Sequence, residues 1–580
     1  MRRNLVVLSD GTGSRGGRAH TTSVWALYEQ LERGAAPPGS GLPAQLACHD
    51  DGVGTQRAWP ARLLGRLFGW GLYANVRELY AFLVRSYAPG DALYLLGFSR
   101  GAYTVRTLAG LVGRFGILRR ERFATAAALE RALDAACRSQ RATFAETRRR
   151  RRADPQAGEE PLLLGGLAWD DFHHEPRAGR PHGVDIEFLG VWDTVDAVGL
   201  PSDGAAEALN RIFQWRFADR RPSARLRCAR QALALDDRRR TFQPELWDLA
   251  HEPPTAPGQR PRVLQAWFAG SHGDVGGASE RRQLGGVALD WMLAEARASG
   301  LRFPEEAHAR IRAQADPLGT LEDERRGLRA LYRLRPRDAQ ALAAAAGQPR
   351  ALLHASVLER VRQAPGGYAP PLLPVEAELL ATARAGEAPP LPTPVTLAHD
   401  PAARARAQAL LALQPRLQHA GWALLLLPLL LLAAEHAGAA LEAACAGHGR
   451  LPVLALLAGL ALLGLLALRL AEPLACGRAT GPAGPRHPLR VAAARTLVLA
   501  ALLAAGLAVL AAALGLCGSG LRALDGRLGC GTPRRWLDLP TLLLAWGVGF
   551  TLLALAGRAV ARRLRHAALD ALAPLRDAPP

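Results

Sequence analysis

The pattern of apolar positions divides the chain before any residue's chemistry is considered. Residues 5–9, Leu-Val-Val-Leu-Ser, form a short apolar run that stops at Asp10-Gly11-Thr12-Gly13, the pattern of a buried strand entering a tight loop. Apolar residues recur at helical spacing near 23–31 and over 76–87, and Pro89-Gly90 ends the second helix. A second strand is predicted over 91–96, with a helix over 102–111. Strand followed at once by helix, repeated, is the signature of a parallel α/β sheet. Third and fourth strands are predicted at 185–191 and 263–269, and the aromatic-bearing segment between them reads as helical. Residues 118–152 read as an Arg-rich helix and 153–181 as irregular, together an insertion over the sheet edge. From 296 to 363 the pattern is helical, and 364–394 is rich in proline.

Beyond residue 400 the pattern changes. Four apolar segments rich in Leu and Ala follow, at 420–440, 451–468, 496–516 and 539–556. The third, about 21 uncharged residues, suffices to cross a hydrocarbon core of about 30 Å. The first is the weakest, because Pro428 kinks it and Glu435-His436 interrupts it. Four such runs joined by short loops predict membrane insertion rather than a buried helical core. Arginines before the first span, between the second and third and after the fourth favour both termini in the cytoplasm, although Arg522, Arg527, Arg534 and Arg535 in an outer loop weaken that bias. That topology places Cys517 and Cys530 on the oxidising side, where they are candidates to pair. The expected organisation is an α/β domain over 1–375, a Pro/Ala-rich linker over 376–418, a transmembrane region of about four helices over 419–565, and a cytoplasmic tail over 566–580.

Composition changes this picture little. A formal charge of +20 invites a nucleic-acid reading, but the 72 basic residues are all arginine, as in a GC-rich genome. The densest basic run, Arg148 to Arg152, has no aromatic side chain to stack bases, so no nucleic-acid partner is expected. Seven cysteines without C-x-x-C spacing indicate neither a zinc site nor a redox pair, and no metal or cofactor is expected. The apolar run that follows Met1-Arg2-Arg3-Asn4 is too short for a signal peptide, which places the soluble region in the cytoplasm.

The chemistry concentrates at predicted strand ends. Gly97-Phe98-Ser99-Arg100-Gly101 fits G-x-S-x-G, a weak motif alone. Here it lies where the strand Leu93-Tyr94-Leu95-Leu96 meets a predicted helix, at the bend that exposes a serine nucleophile, with Gly97 and Gly101 leaving room for the turn. The Arg100 N–H, at the helix start, is a candidate oxyanion donor. A serine needs a base, and the base an acid to hold its tautomer. Asp193 ends the strand Ile186-Glu-Phe-Leu-Gly-Val-Trp192, and His272 ends Ala266-Trp-Phe-Ala-Gly-Ser271, both where an open α/β sheet places its site. Asp196 and Asp274 are rivals to Asp193 for the acid. The loop after the first strand is the usual source of a second oxyanion donor, here the N–H of Gly11 or Thr12. Asp10 would oppose an oxyanion, so it orders that loop or holds a divalent cation.

Several stretches together resemble a known family, the bacterial and fungal α/β-hydrolase domain that includes the first family of type VI secretion lipase effectors. They are Leu8-Ser-Asp-Gly-Thr12, Asp51-Gly-Val-Gly-Thr55, Gly90-Asp-Ala-Leu-Tyr-Leu-Leu-Gly-Phe-Ser-Arg-Gly-Ala-Tyr103, Phe188-Leu-Gly-Val-Trp-Asp-Thr194, Ala232-Leu-Ala-Leu-Asp-Asp-Arg238, Trp267-Phe-Ala-Gly-Ser-His-Gly-Asp-Val-Gly-Gly277 and His354-Ala-Ser-Val-Leu-Glu-Arg360, in the family's order over about residues 4–375. One departure is Ser23 in Thr22-Ser23-Val24, where relatives usually carry Asn. The resemblance implies a Ser99–Asp193–His272 ester hydrolase of α/β-hydrolase type acting on phospholipids. The expected function is a membrane-anchored esterase or phospholipase, either an effector whose apolar tail inserts into a target-cell membrane, with a secretion apparatus or immunity protein as partner, or a resident enzyme. Phe213, Trp215 and Phe217 are candidates for a lid or for core packing. The alternative function is a non-catalytic sensor attached to a membrane protein, against which three intact triad residues and the scarcity of ionisable residues in the spans both argue.

Overall fold

Residues 3–9, 92–98, 188–192 and 263–268 form strands where apolar residues crowd at both parities, because a parallel sheet buries both of its faces. The computed structural model describes residues 2–11, 22–35, 40–51, 72–154, 162–176, 182–195, 220–324, 332–384, 386–420 and 539–577. The chain divides into two compact units, residues 1–408 with 565–580, and residues 409–564. The first unit holds strands β1 (Arg3–Ser9), β2 (Ala44–Asp50), β3 (Ala92–Phe98), β4 (Ile117–Leu118), β5 (Phe172–His173), β6 (Phe188–Trp192), β7 (Ala229–Ala234), β8 (Val263–Phe268), β9 (Ala351–His354), β10 (Glu376–Leu380) and β11 (Thr393–Thr396). Nine of them make one sheet in the order β11-β10-β9-β8-β7-β6-β3-β1-β2. Its pairings are parallel except for the antiparallel β10–β11 edge, and β4 and β5 pair separately. This is the mostly parallel α/β architecture expected.

Successive residues feed opposite faces. Leu5 and Val7 of β1, with Leu93 and Leu95 of β3, pack under helices α1 (Leu72–Ser86), α2 (Arg100–Phe115) and α3 (Ala126–Ala153). Val6 and Leu8, with Tyr94 and Leu96, face the other side with Trp291 and Met292 of helix α4 (Gln283–Ala298). The Arg-rich insertion is thus a covering helix whose Leu133 and Ala136 join the first face. From β1 the chain steps out to β2 at the edge, returns past β1 to β3, and adds its later strands on the far side. The order reverses between β1 and β3, and such a reversal opens a crevice at the strand ends.

Three stretches differ from the pattern-based expectation. Residues 229–234, Ala-Arg-Gln-Ala-Leu-Ala, form a strand rather than helix, fully buried between β6 and β8. Residues 351–354 form a strand within the stretch expected to be helical. Good helix formers yield to tertiary context in both places, because burial between two strands outweighs propensities of a few tenths of a kcal/mol per residue. Residues 376–380 and 393–396, in the stretch read as linker, add two strands, with Ala377 and Leu380 buried.

Among the described residues no helix is long and apolar enough to cross a membrane. Segments 451–468 and 496–516, all but residue 420 of the first, and Cys517 and Cys530 lie outside the described residues. The fourth segment opens the helix Leu539–Ala571.

Candidate active site

The site grows from the turn at the end of β3. Ser99 follows the strand directly with φ 58° and ψ −121°, a conformation that non-glycine residues rarely adopt. Two glycines make the bend fit. A Cβ on Gly97 would lie 2.6 Å from the Gly101 carbonyl oxygen, and one on Gly101 would lie 2.1 Å from that of Ser9. Any side chain at either position would push β3, α2 and β1 apart. The Ser99 N–H donates to the Trp192 carbonyl at 3.0 Å, tying the turn to the end of β6. Arg100 is the first residue of α2.

Asp193 lies one residue past β6 and is fully buried with φ 39°. His272 begins the short helix α5 (His272–Val275) after β8; α5 precedes α4 in the chain. The fold brings these three residues together from strands β3, β6 and β8. His272 Nε2 lies 2.8 Å from Ser99 Oγ, and His272 Nδ1 lies 2.5 Å from Asp193 Oδ2. The imidazole sits between the rings of Phe98 and Phe242, at centroid distances of 4.8 and 5.1 Å. Apolar walls of this kind keep water off the ring and strengthen its remaining polar contacts.

The other candidates separate by geometry. Asp274 turns away from the imidazole. Its Oδ2 accepts from the Ser271 N–H and Oγ–H, both at 2.9 Å, and its Oδ1 from Ser279 at 2.7 Å, so it braces the loop that carries His272. Asp196 and Thr12, and the aromatics Phe213, Trp215 and Phe217, lie outside the described residues. Gly11, expected as an oxyanion donor, gives its N–H to Asp10 Oδ1 at 2.7 Å instead. The carboxylate one residue earlier in the chain captures the nearest amide. Asp10 thus holds the first amide after β1, with His49 Nε2 3.5 Å from its other oxygen. Thr22 caps the following helix by accepting from the Trp25 N–H at 3.3 Å, so Ser23 beside it does not disturb the helix start.

One residue of the site was missed in the pattern. Arg337, buried completely, donates from Nη1 to Asp193 Oδ1 at 2.7 Å and from Nη2 to Asp193 Oδ2 at 2.9 Å. Burial by itself would raise the Asp193 pKa, but the Arg337 guanidinium and the His272 contact outweigh it and hold the carboxyl well below the usual range. No sequence signal singled out Arg337. It is one of many arginines, next to Arg333 and Arg335, and its partner lies 144 residues away.

A profile for the family described as "T6SS, Phospholipase effector Tle1-like, catalytic domain" matches residues 3–295. An uncharacterized protein of Saccharomyces cerevisiae is 27% identical over 248 residues, 42% of this chain and 32% of that protein. The chain thus spans about a third of that curated relative's length. The crystal structure of an uncharacterized protein from Pseudomonas aeruginosa aligns at 17% identity and a TM-score of 0.29, over 55% of this chain and 49% of that one.

Proposed function

The chain belongs to the family of Tle1-like type VI secretion phospholipase effectors through its catalytic domain, and we propose that it is a serine hydrolase that cleaves carboxylic esters of phospholipids. The observation that carries this reading is the unbroken hydrogen-bonded chain from Ser99 Oγ through His272 to Asp193. In the proposed reaction His272 Nε2 takes the Ser99 proton as Oγ attacks the ester carbonyl. The charge that develops on the carbonyl oxygen is met by the Arg100 N–H at the start of α2. His272 then returns the proton to the leaving alcohol, and water, activated by the same imidazole, frees the acyl group from Ser99. Asp193 holds the imidazole tautomer and stabilises its cationic form.

In this proposal the apolar C-terminal segments anchor the enzyme as a multi-pass membrane protein with the hydrolase domain on the cytoplasmic side. Anchoring raises the local concentration of lipid ester at Ser99. Delivery to a target-cell membrane and an immunity-protein partner follow from the family as further proposals. The test is hydrolysis of short-chain nitrophenyl esters and fluorescent phospholipids by the full-length protein beside Ser99→Ala. The expected loss is about 10⁴-fold or more. Undiminished turnover in Ser99→Ala would overturn the assignment. A folded wild-type protein that neither turns over esters nor reacts with a fluorophosphonate would be the non-catalytic sensor instead.

A further inference from the structure

Beneath the proposed triad lies a cation that a serine hydrolase mechanism does not itself require. The Arg337 guanidinium touches three elements at once. Besides both oxygens of Asp193, Nη1 donates to the Ala234 carbonyl at the end of β7 at 2.5 Å, and Nη2 donates to the Phe242 carbonyl. Asp193 Oδ1 also accepts the Ala234 N–H at 3.0 Å. With His272 on Oδ2, the carboxylate accepts four hydrogen bonds, about its full capacity. A carboxylate so saturated has one orientation. Because the fork is planar and two-pronged, it sets the plane of the Asp193 carboxylate as well as its position.

We infer that Arg337 is a positioning residue that locks Asp193 onto His272 and offsets part of the negative charge the imidazole faces. This rests on the hydrolase reading of Ser99, Asp193 and His272. The consequence is electrostatic. An unpaired Asp193 would favour the imidazolium strongly and leave less neutral His272 to accept the Ser99 proton in mildly acidic solution. The paired cation removes part of that pull.

Among the described residues, the other charged groups near His272 keep partners of their own. Asp237 accepts the His272 backbone N–H at 3.3 Å and pairs with Arg239 at 2.6 Å, which also meets Glu324 at 3.2 Å. Asp274, on the same short helix, is held by Ser271 and Ser279. Arg337 is to Asp193 what Arg239 is to Asp237. The rings of Phe98 and Phe242 also flank the imidazole and carry no charge.

The test follows the rate of fluorophosphonate labelling of the full-length protein against pH, a direct readout of neutral His272. Arg337→Gln removes the charge, Arg337→Lys keeps it but loses the fork, and Ser99→Ala is the control. In Arg337→Gln the acid limb is expected to move to higher pH by about one unit. In Arg337→Lys it is expected to stay within about 0.3 unit while the plateau rate falls about tenfold, because one ammonium cannot hold both oxygens. A merely structural Arg337 would lower the plateau of both variants and move neither limb. That result overturns the inference.

Should Arg337→Gln fail to fold, the double variant Asp193→Asn/Arg337→Gln decides. It removes both charges, so it is expected to melt above Asp193→Asn alone, which strands a buried cation. Its labelling is expected within about threefold of Asp193→Asn, because Arg337 has nothing left to act through. A further tenfold loss, or a lower melting temperature, overturns the inference. Absence of Ser99-dependent labelling in the wild type would instead overturn the hydrolase reading, a distinct result.

Discussion

The ends of β6 and β7 offer a natural comparison. Each neighbouring strand runs into an aspartate, the fully buried Asp193 after β6 and the half-buried Asp236 after β7. Asp193 has the Arg337 fork on both oxygens. Asp236 has two neutral donors on one oxygen, the Gly270 N–H at 2.8 Å and the Tyr368 hydroxyl at 2.9 Å. Their ionisation moves in opposite directions. Burial pushes Asp236 up to about 6, and its hydrogen bonds together with the more distant Arg360 and Arg238 only partly oppose it. Burial weighs on Asp193 too, yet Arg337 and His272 reverse it. Adjacent strand ends thus hold a carboxylate fixed in its charged form and a carboxyl that takes up a proton in mild acid. What separates them is a paired cation, since the more deeply buried carboxylate is the one that stays charged.

The comparison can be broken first at its functional end. Asp193→Asn keeps the shape but removes the charge that orients the imidazole tautomer, and ester turnover is expected to fall by about 10⁴-fold. Next, Arg337→Met makes Asp193 resemble Asp236 by stripping its cation. Leaving a buried ion without its partner costs about 3–5 kcal/mol, which thermal unfolding at neutral pH would register.

Asp236→Asn sharpens the other side. Because the folded pKa of Asp236 lies above its unfolded value of about 3.9, its protonated form favours the fold. That contribution is complete below about pH 4 and is lost as pH rises through about 6, up to about 3 kcal/mol in all. The Asn variant is expected to flatten the stability profile across this window and to be the more stable protein at pH 7. Asp193 has the opposite sign. Its contribution is present above about pH 4 and is lost as pH falls below it. Stability curves from pH 3 to 8 on wild type and Asp236→Asn separate the two. The smallest effect belongs to Tyr368→Phe, which removes one donor from Asp236 and costs about 1 kcal/mol at neutral pH, where that carboxyl is charged.

The same contrast explains which parts of the molecule could be read along the chain. Strands β1, β3, β6 and β8 coincide with dense apolar runs and stand out. Strand β7, Ala-Arg-Gln-Ala-Leu-Ala, carries the composition of a helix and becomes a strand only because β6 and β8 flank it. Ser99, Asp193 and His272 were visible because each follows an apolar strand within four residues, where local pattern and chemistry coincide. Of the two amides offered to an oxyanion, Gly11 and Thr12, that of Gly11 is taken by the adjacent Asp10 carboxylate, a local competition that strand counting does not weigh.

By itself the sequence determined the strand-and-helix alternation, the turn at Gly97-Phe98-Ser99-Arg100-Gly101 and the order of the serine, acid and histidine, since these depend on neighbours within a few residues. Only the tertiary structure decided that Asp193 rather than Asp274 meets His272, and that Arg337 closes on Asp193 from 144 residues away. Pairing of this kind depends on which strands lie side by side and on which buried charge is nearest. The chain expresses neither until β6, β7 and β8 are packed together.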